Sequence, residues 1–118
     1  MITIDFKKYY RKIVKSEVDE FIEDFKQFDK NKEVTRTFSN GYCYWFAHIL
    51  FYRFKNYDPK IVYYEVGKHF AVKIYGHIFD ITGDITLKNL FFEDWEEYQK
   101  NNPEESKVIY NTMINKIF

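Results

Sequence analysis

Phe6, Tyr9, Tyr10, Ile13, Val14, Val18, Phe21, Ile22, Phe25 and Phe28 recur at spacings of three and four, with charged residues between them. That period winds one apolar stripe onto a helix, so the pattern predicts a helix over 5–28. The stretch 29–40 is polar, with Asn31 and the Ser39-Asn40-Gly41 cluster as punctuation, and reads as a loop. From Tyr42 to Phe54 the chain is apolar on nearly every side. A helix of that kind belongs in the centre of a fold, with Asn40 or Gly41 as its N-cap.

After a break at Asn56–Pro59 the period shortens to two. Residues 60–66 are rich in Ile, Val and Tyr. Residues 69–75 alternate His, Ala, Lys and Tyr against Phe, Val and Ile, and 78–81 form a third strand. Gly67-Lys68 and Gly76-His77 are the expected turns, a two-residue loop with Gly being an antiparallel hairpin signal. Residues 91–100 read as a short helix. Asn102 as cap, Pro103 at the first position and Glu104-Glu105 in the first turn start another. It is expected to reach Phe118, with Val108, Ile109, Met113, Ile114 and Ile117 facing in. No internal repeat or linker is expected. The fold class is therefore α+β in one domain, residues 1–118. A central cysteine-bearing helix packs on a small antiparallel sheet, with an N-terminal helix and C-terminal helices.

Composition narrows the function classes. The 118 residues include 13 Phe, 11 Tyr and 2 Trp, enough aromatic area for a thick core. Lys plus Arg equal Asp plus Glu, 18 against 18, and no basic stripe appears, so nucleic acid is not an expected partner. The single cysteine has no partner for an internal disulfide. The first residues lack the basic start and apolar core of a secretory signal, and no apolar run approaches the ~18 residues that span a bilayer. The expectation is a cytoplasmic protein without a membrane partner. Frequent Ile, Lys, Asn, Tyr and Phe suggest an AT-rich coding sequence, bacterial or phage. There is no Cys-x-x-Cys or His-x-x-x-His pair, so neither a metal nor a cofactor is expected.

Candidate chemistry concentrates in one constellation. Cys43 lies in the first turn of the central helix, where the dipole favours a thiolate. His69 opens a strand 26 residues later, and Asp80 closes the next strand 11 residues further on. Nucleophilic catalysis by a thiol needs a base within hydrogen-bond reach and a third group that orients the base. A pairing about Gly76-His77 opposes Phe79 to Ile74 and brings Asp80 near Lys73. Whether Asp80 shares the face of His69 depends on that register. Each residue also has a structural reading: Cys43 as a small core residue, His69 as a turn-flanking surface residue, Asp80 as a cap on the turn at Thr82-Gly83. His48 is read as structural, His77 as solvent-exposed. The acidic run Phe92–Glu97 is read as a solvated helix face with Trp95 turned in.

Gly41-x-Cys43-x-x-Phe46-Ala47 resembles the nucleophile segment of papain-like and transglutaminase-like cysteine enzymes. The run from His69 to Asp80 resembles their His-led strand, turn and Asp-ending strand. The resemblance covers about residues 40–84. It implies Cys43 as nucleophile, His69 as general base and acid, and Asp80 as orienting carboxylate. Two features depart from it: no Gln stands shortly before the Cys, and Tyr42 replaces the Asp that precedes the Cys in cell-wall peptidases of this fold. An oxyanion would then be held by the Cys43 backbone N–H with Asn40 or Tyr42.

The expected activity is a thiol-dependent acyl hydrolase or transferase acting on an amide, ester or thioester carbonyl of a protein or peptide. The alternative is a non-catalytic protein-binding or inhibitor module on the same fold, phage- or mobile-element-borne.

Overall fold

The computed structural model describes residues 6–27, 33–39 and 42–114. Helix α1 (Phe6–Gln27) is followed by a short α2 (Glu33–Ser39) and by α3 (Cys43–Arg53). Then come strands β1 (Lys60–Tyr64), β2 (His69–Ile74), β3 (His77–Asp80), β4 (Gly83–Asp84) and β5 (Glu93–Asp94), and helices α4 (Trp95–Asn101) and α5 (Pro103–Ile109). The strands form one sheet in the order β4-β3-β2-β1-β5, with every pairing antiparallel. The α+β expectation holds, and the cysteine-bearing α3 packs against β2 at the middle of that sheet.

Alternation along β2 assigns the two faces. Phe70, Val72 and Ile74 are buried in the main core with Cys43, Phe46, Ala47 and Leu50 of α3 and with Val14, Val18 and Ile22 of α1. The α1 residues recur every four positions, so one stripe of that helix enters the core while Tyr10 and Ile13 stay exposed. The opposite face of the sheet carries a smaller cluster, Val62, Ala71 and Ile85, flanked by Ile78 and Phe92.

Several elements differ from the sequence reading. Within the expected loop 29–40, residues 33–39 are helical. The Phe38 ring anchors α2, lying 5.6 Å from Phe46 and 5.7 Å from Phe25. A tertiary contact of this kind overrides weak local propensity. The cap of α3 is Tyr42, with no side-chain hydrogen bond, and Asn40 and Gly41 lie outside the described residues. The sheet has five strands rather than three. One of the additions, β5, falls in the acidic run and pairs with Val62 and Tyr63 of β1. Asp94 then starts α4 by accepting the N–H groups of Glu96 (2.9 Å) and Glu97 (3.4 Å). Trp95 is buried as expected. The Asn102-Pro103 start signal is borne out by α5. Val108, expected to face in, is exposed, because Ser106 and Ile109 occupy the inward face three residues apart. A π-helical turn, Tyr110–Ile114, follows. The side chains of Met113 and Ile114, and all of Ile117, lie outside the described residues.

Phe46 links three helices. It is 1 % exposed and its ring sits 5.2 Å from Phe25 as well as against Phe38. Phe46→Ala should lower unfolding free energy by about 3–5 kcal/mol, the usual cost of an emptied aromatic core site. Urea denaturation reads this directly; a loss below about 1 kcal/mol, typical of surface positions, would show that α2 and α1 do not pack on α3 as described.

Candidate functional site

The β2–β3 hairpin decides where the polar residues meet. Its two central residues are Tyr75 (φ 45°) and Gly76 (φ 84°), with Ile74 paired to His77. Positive φ at both positions is the type I′ geometry whose twist matches the flanking strands. The expected Gly76-His77 turn is therefore displaced by one residue. The pairing is Phe79 with Val72 and Ile78 with Lys73, not Phe79 with Ile74. Carried one residue further, this register sets Asp80 across from Ala71 and diagonal to His69, on the same face of the sheet. The face that the sequence left open is thus settled by where the turn falls.

His69 and Asp80 meet there: His69 Nε2 is 2.8 Å from Asp80 Oδ2. The other carboxylate oxygen, Oδ1, accepts the backbone N–H of Thr82 at 2.8 Å and also the Thr82 hydroxyl. Asp80 is therefore both a turn cap and the partner of His69. Burial pushes its carboxyl up, but the bonds from His69 and Thr82 outweigh this and hold it below the usual carboxylate range. Burial likewise pulls the His69 imidazole down. Hydrogen bonding and charge from Asp80 and from the Cys43 thiol overcome it and raise the ring to about 9. His69 is thus no detached surface residue.

Cys43 is the first residue of α3 and is buried, at 4 % exposure. Together with Asp80 it raises the His69 ring, whose Nε2 is taken by Asp80. The Tyr42 carbonyl accepts the N–H groups of Trp45 (3.0 Å) and Phe46 (3.2 Å). The backbone N–H groups of Cys43 and Tyr44 precede these, at the end of the helix where N–H groups have no intrahelical acceptor. Of the two oxyanion candidates, Tyr42 is half-buried at this end, and Asn40 lies outside the described residues.

The reading of Asp80 as a cap on the Thr82-Gly83 turn is borne out, and sequence reasoning missed only the second donor, the Thr82 hydroxyl. The signal was present: Asp80-Ile81-Thr82-Gly83-Asp84-Ile85-Thr86 is a short internal repeat. Its second copy builds a second pair. Asp84 Oδ1 accepts the Thr86 N–H (2.9 Å) and hydroxyl (2.5 Å). Asp84 Oδ2 lies 2.9 Å from His77 Nδ1 and 3.6 Å from Lys15 Nζ of α1. The close His77 contact is misaligned for a directed N–H···O bond. His77, expected to be solvent-exposed, is half-buried at the start of β3, where it pairs with Ile74. His48 packs on Tyr44 at 4.3 Å and lies away from the His69–Asp80 pair. Burial lowers its ring. Among the described residues no group of three or more His, Cys, Asp or Glu side chains is arranged to hold a metal. No described helix is long and apolar enough to cross a membrane.

Comparison with known proteins gives one family, the Phage YunG-like protein family, which matches residues 18–117. No curated protein and no solved structure matches the chain. The resemblance to papain-like and transglutaminase-like enzymes is corrected by this result, since neither family matches. The motif that suggested it has a local explanation: Phe46 and Ala47 are ordinary core residues of α3.

Two linked expectations follow from the His69–Asp80 pair. The His69 ring should titrate near 9 by NMR, and Asp80→Asn should bring the midpoint down toward the ordinary 6.5. A folded-state value above the unfolded one favours folding of the charged ring. Its contribution to stability is complete below about 6.5 and is lost as pH rises through about 9. Asp80, shifted down, contributes above the ordinary carboxylate value and loses this as pH falls through its depressed one. Wild type should therefore lose stability between pH 6.5 and 9 more steeply than Asp80→Asn; identical slopes would contradict the pairing.

Proposed function

The chain belongs to the Phage YunG-like protein family, and within that family we propose that it carries a thiol-based acyl site built from Cys43, His69 and Asp80. The observation that supports this reading most is the fixed imidazole: Asp80 holds Nε2 at 2.8 Å, Thr82 holds Asp80, and Cys43 adds to the upward shift of the same ring. An imidazolium beside a thiol favours the thiolate, the nucleophilic form.

The steps then balance with no added reagent but water. The Cys43 sulfur forms a bond to the carbonyl carbon of an amide, ester or thioester, and the carbonyl electrons move to oxygen. The backbone N–H of Cys43, aided by Asn40 or Tyr42, stabilises that oxyanion. As it collapses, the bond to the leaving group breaks and His69 supplies the proton. Water, or an amine in the transfer variant, attacks the thioester and gives its proton to His69, and the thiolate departs. Asp80 keeps the ring oriented and supports its charge throughout. A protein or peptide in a cytoplasmic setting is the substrate class this reading takes.

A second reading is favoured by two observations: the 4 % exposure of Cys43 and the membership in a phage protein family. Here the chain is a phage-borne binding or inhibitor module whose Cys–His–Asp cluster is structural. Exposed rings such as Tyr10, Tyr52 and Phe91 would then serve a partner.

Incubation with a panel of activated peptide esters and thioesters, followed by intact-mass measurement, separates the two. The thiol reading predicts an acyl adduct on wild type, none on Cys43→Ala, and about 10²–10⁴-fold slower formation on His69→Ala. Adducts that persist in Cys43→Ala, or turnover indifferent to His69, would exclude the mechanism.

A further inference from the structure

Away from the His69–Asp80 pair, a cleft of about 460 Å³ runs along the outer flank of α3. Tyr44, His48 and Phe51, spaced four and three apart, form one wall, and α4 forms the other through Trp95 and Glu96. The turn into β1 closes the end with Asp58. We infer that this cleft is a binding site for an arginine side chain of a polypeptide.

Three features carry the inference. The walls are aromatic, and aromatic faces attract a guanidinium that is partly removed from water. Three carboxylates, Asp58, Asp94 and Glu96, line the cleft against one cation, Lys60. Among the described residues none of these carboxylates makes an ion pair. A planar fork of N–H donors on an apolar stem meets these demands together: it stacks on rings and bridges carboxylates, which a compact ammonium does less well. The protein shows the same preference internally, since the Arg53 guanidinium lies 5.0 Å over the Phe54 ring and 5.7 Å over Phe21.

The test is titration of the whole chain with N-acetyl-arginine amide, followed by the Trp95 indole and His48 ring signals in NMR. The controls are the citrulline amide, neutral and nearly isosteric, and the lysine amide. Saturable shifts with the arginine probe, weaker ones with lysine and none with citrulline are expected. The double variant Asp58→Asn, Glu96→Gln should weaken arginine binding roughly three- to tenfold. Both positions are exposed, and Asn tolerates the left-handed backbone at residue 58 (φ 50°), so the variant keeps the fold. Cys43→Ala should bind as wild type does, which keeps this result separate from the acyl chemistry. No shift with arginine, equal shifts with citrulline or lysine, or unchanged affinity in the double variant would each overturn the inference.

Discussion

Asp80 carries its charge where only 8 % of the residue meets solvent, and the hydrogen bonds from His69 and Thr82 make that possible. An unpaired carboxylate in such a place would protonate or force the site open. Three local choices supply the partners. The Tyr75-Gly76 turn sets the register that puts Asp80 diagonal to His69. The turn after β3 brings the Thr82 N–H and hydroxyl back to Oδ1. Cys43, the first residue of α3, adds to the upward pull on the same imidazole. Shift the register by one residue and Asp80 moves to the other face of the sheet.

The element types were legible in the sequence because their periods are strong. The stripe of α1, the apolar α3 and the Asn102-Pro103 start of α5 all appear where the pattern places them. The order of His69 and Asp80 also pointed to a pair that the fold joins. What the pattern did not carry was the turn geometry. Gly76 serves equally well as the first or the second residue of a two-residue turn, and only the second choice gives the observed pairing. The two-residue strands β4 and β5 are too short to show a period, and α2 is anchored by the Phe38 ring, a tertiary contact that hydropathy does not display. The Thr82 hydroxyl was hidden for another reason: its role depends on the carboxylate two residues earlier, a relation that the repeated Asp-Ile-Thr displays but hydropathy does not.

That repeat gives the sheet two similar polar ends. His69 is held by Asp80 and Thr82, and His77 is approached by Asp84, which Thr86 holds. Only the first pair has a thiol beside it. The second has Lys15 of α1 beside it, so the same local device ties a helix to the sheet at that end. Family membership places this arrangement in a phage protein family. The likeness to cysteine enzymes lay in residue order, and residue order alone did not carry the family.

The dependence of Cys43 on His69 is the point on which the functional account turns. The most direct measurement is the rate of Cys43 alkylation against pH, on folded wild type and on His69→Ala. The account predicts a thiol that alkylates readily in the folded wild type. It also predicts that reactivity at low pH falls sharply when the imidazole is removed. An inert thiol, or profiles that coincide in the two proteins, would contradict it and leave Cys43 as a core residue beside a structural ion pair.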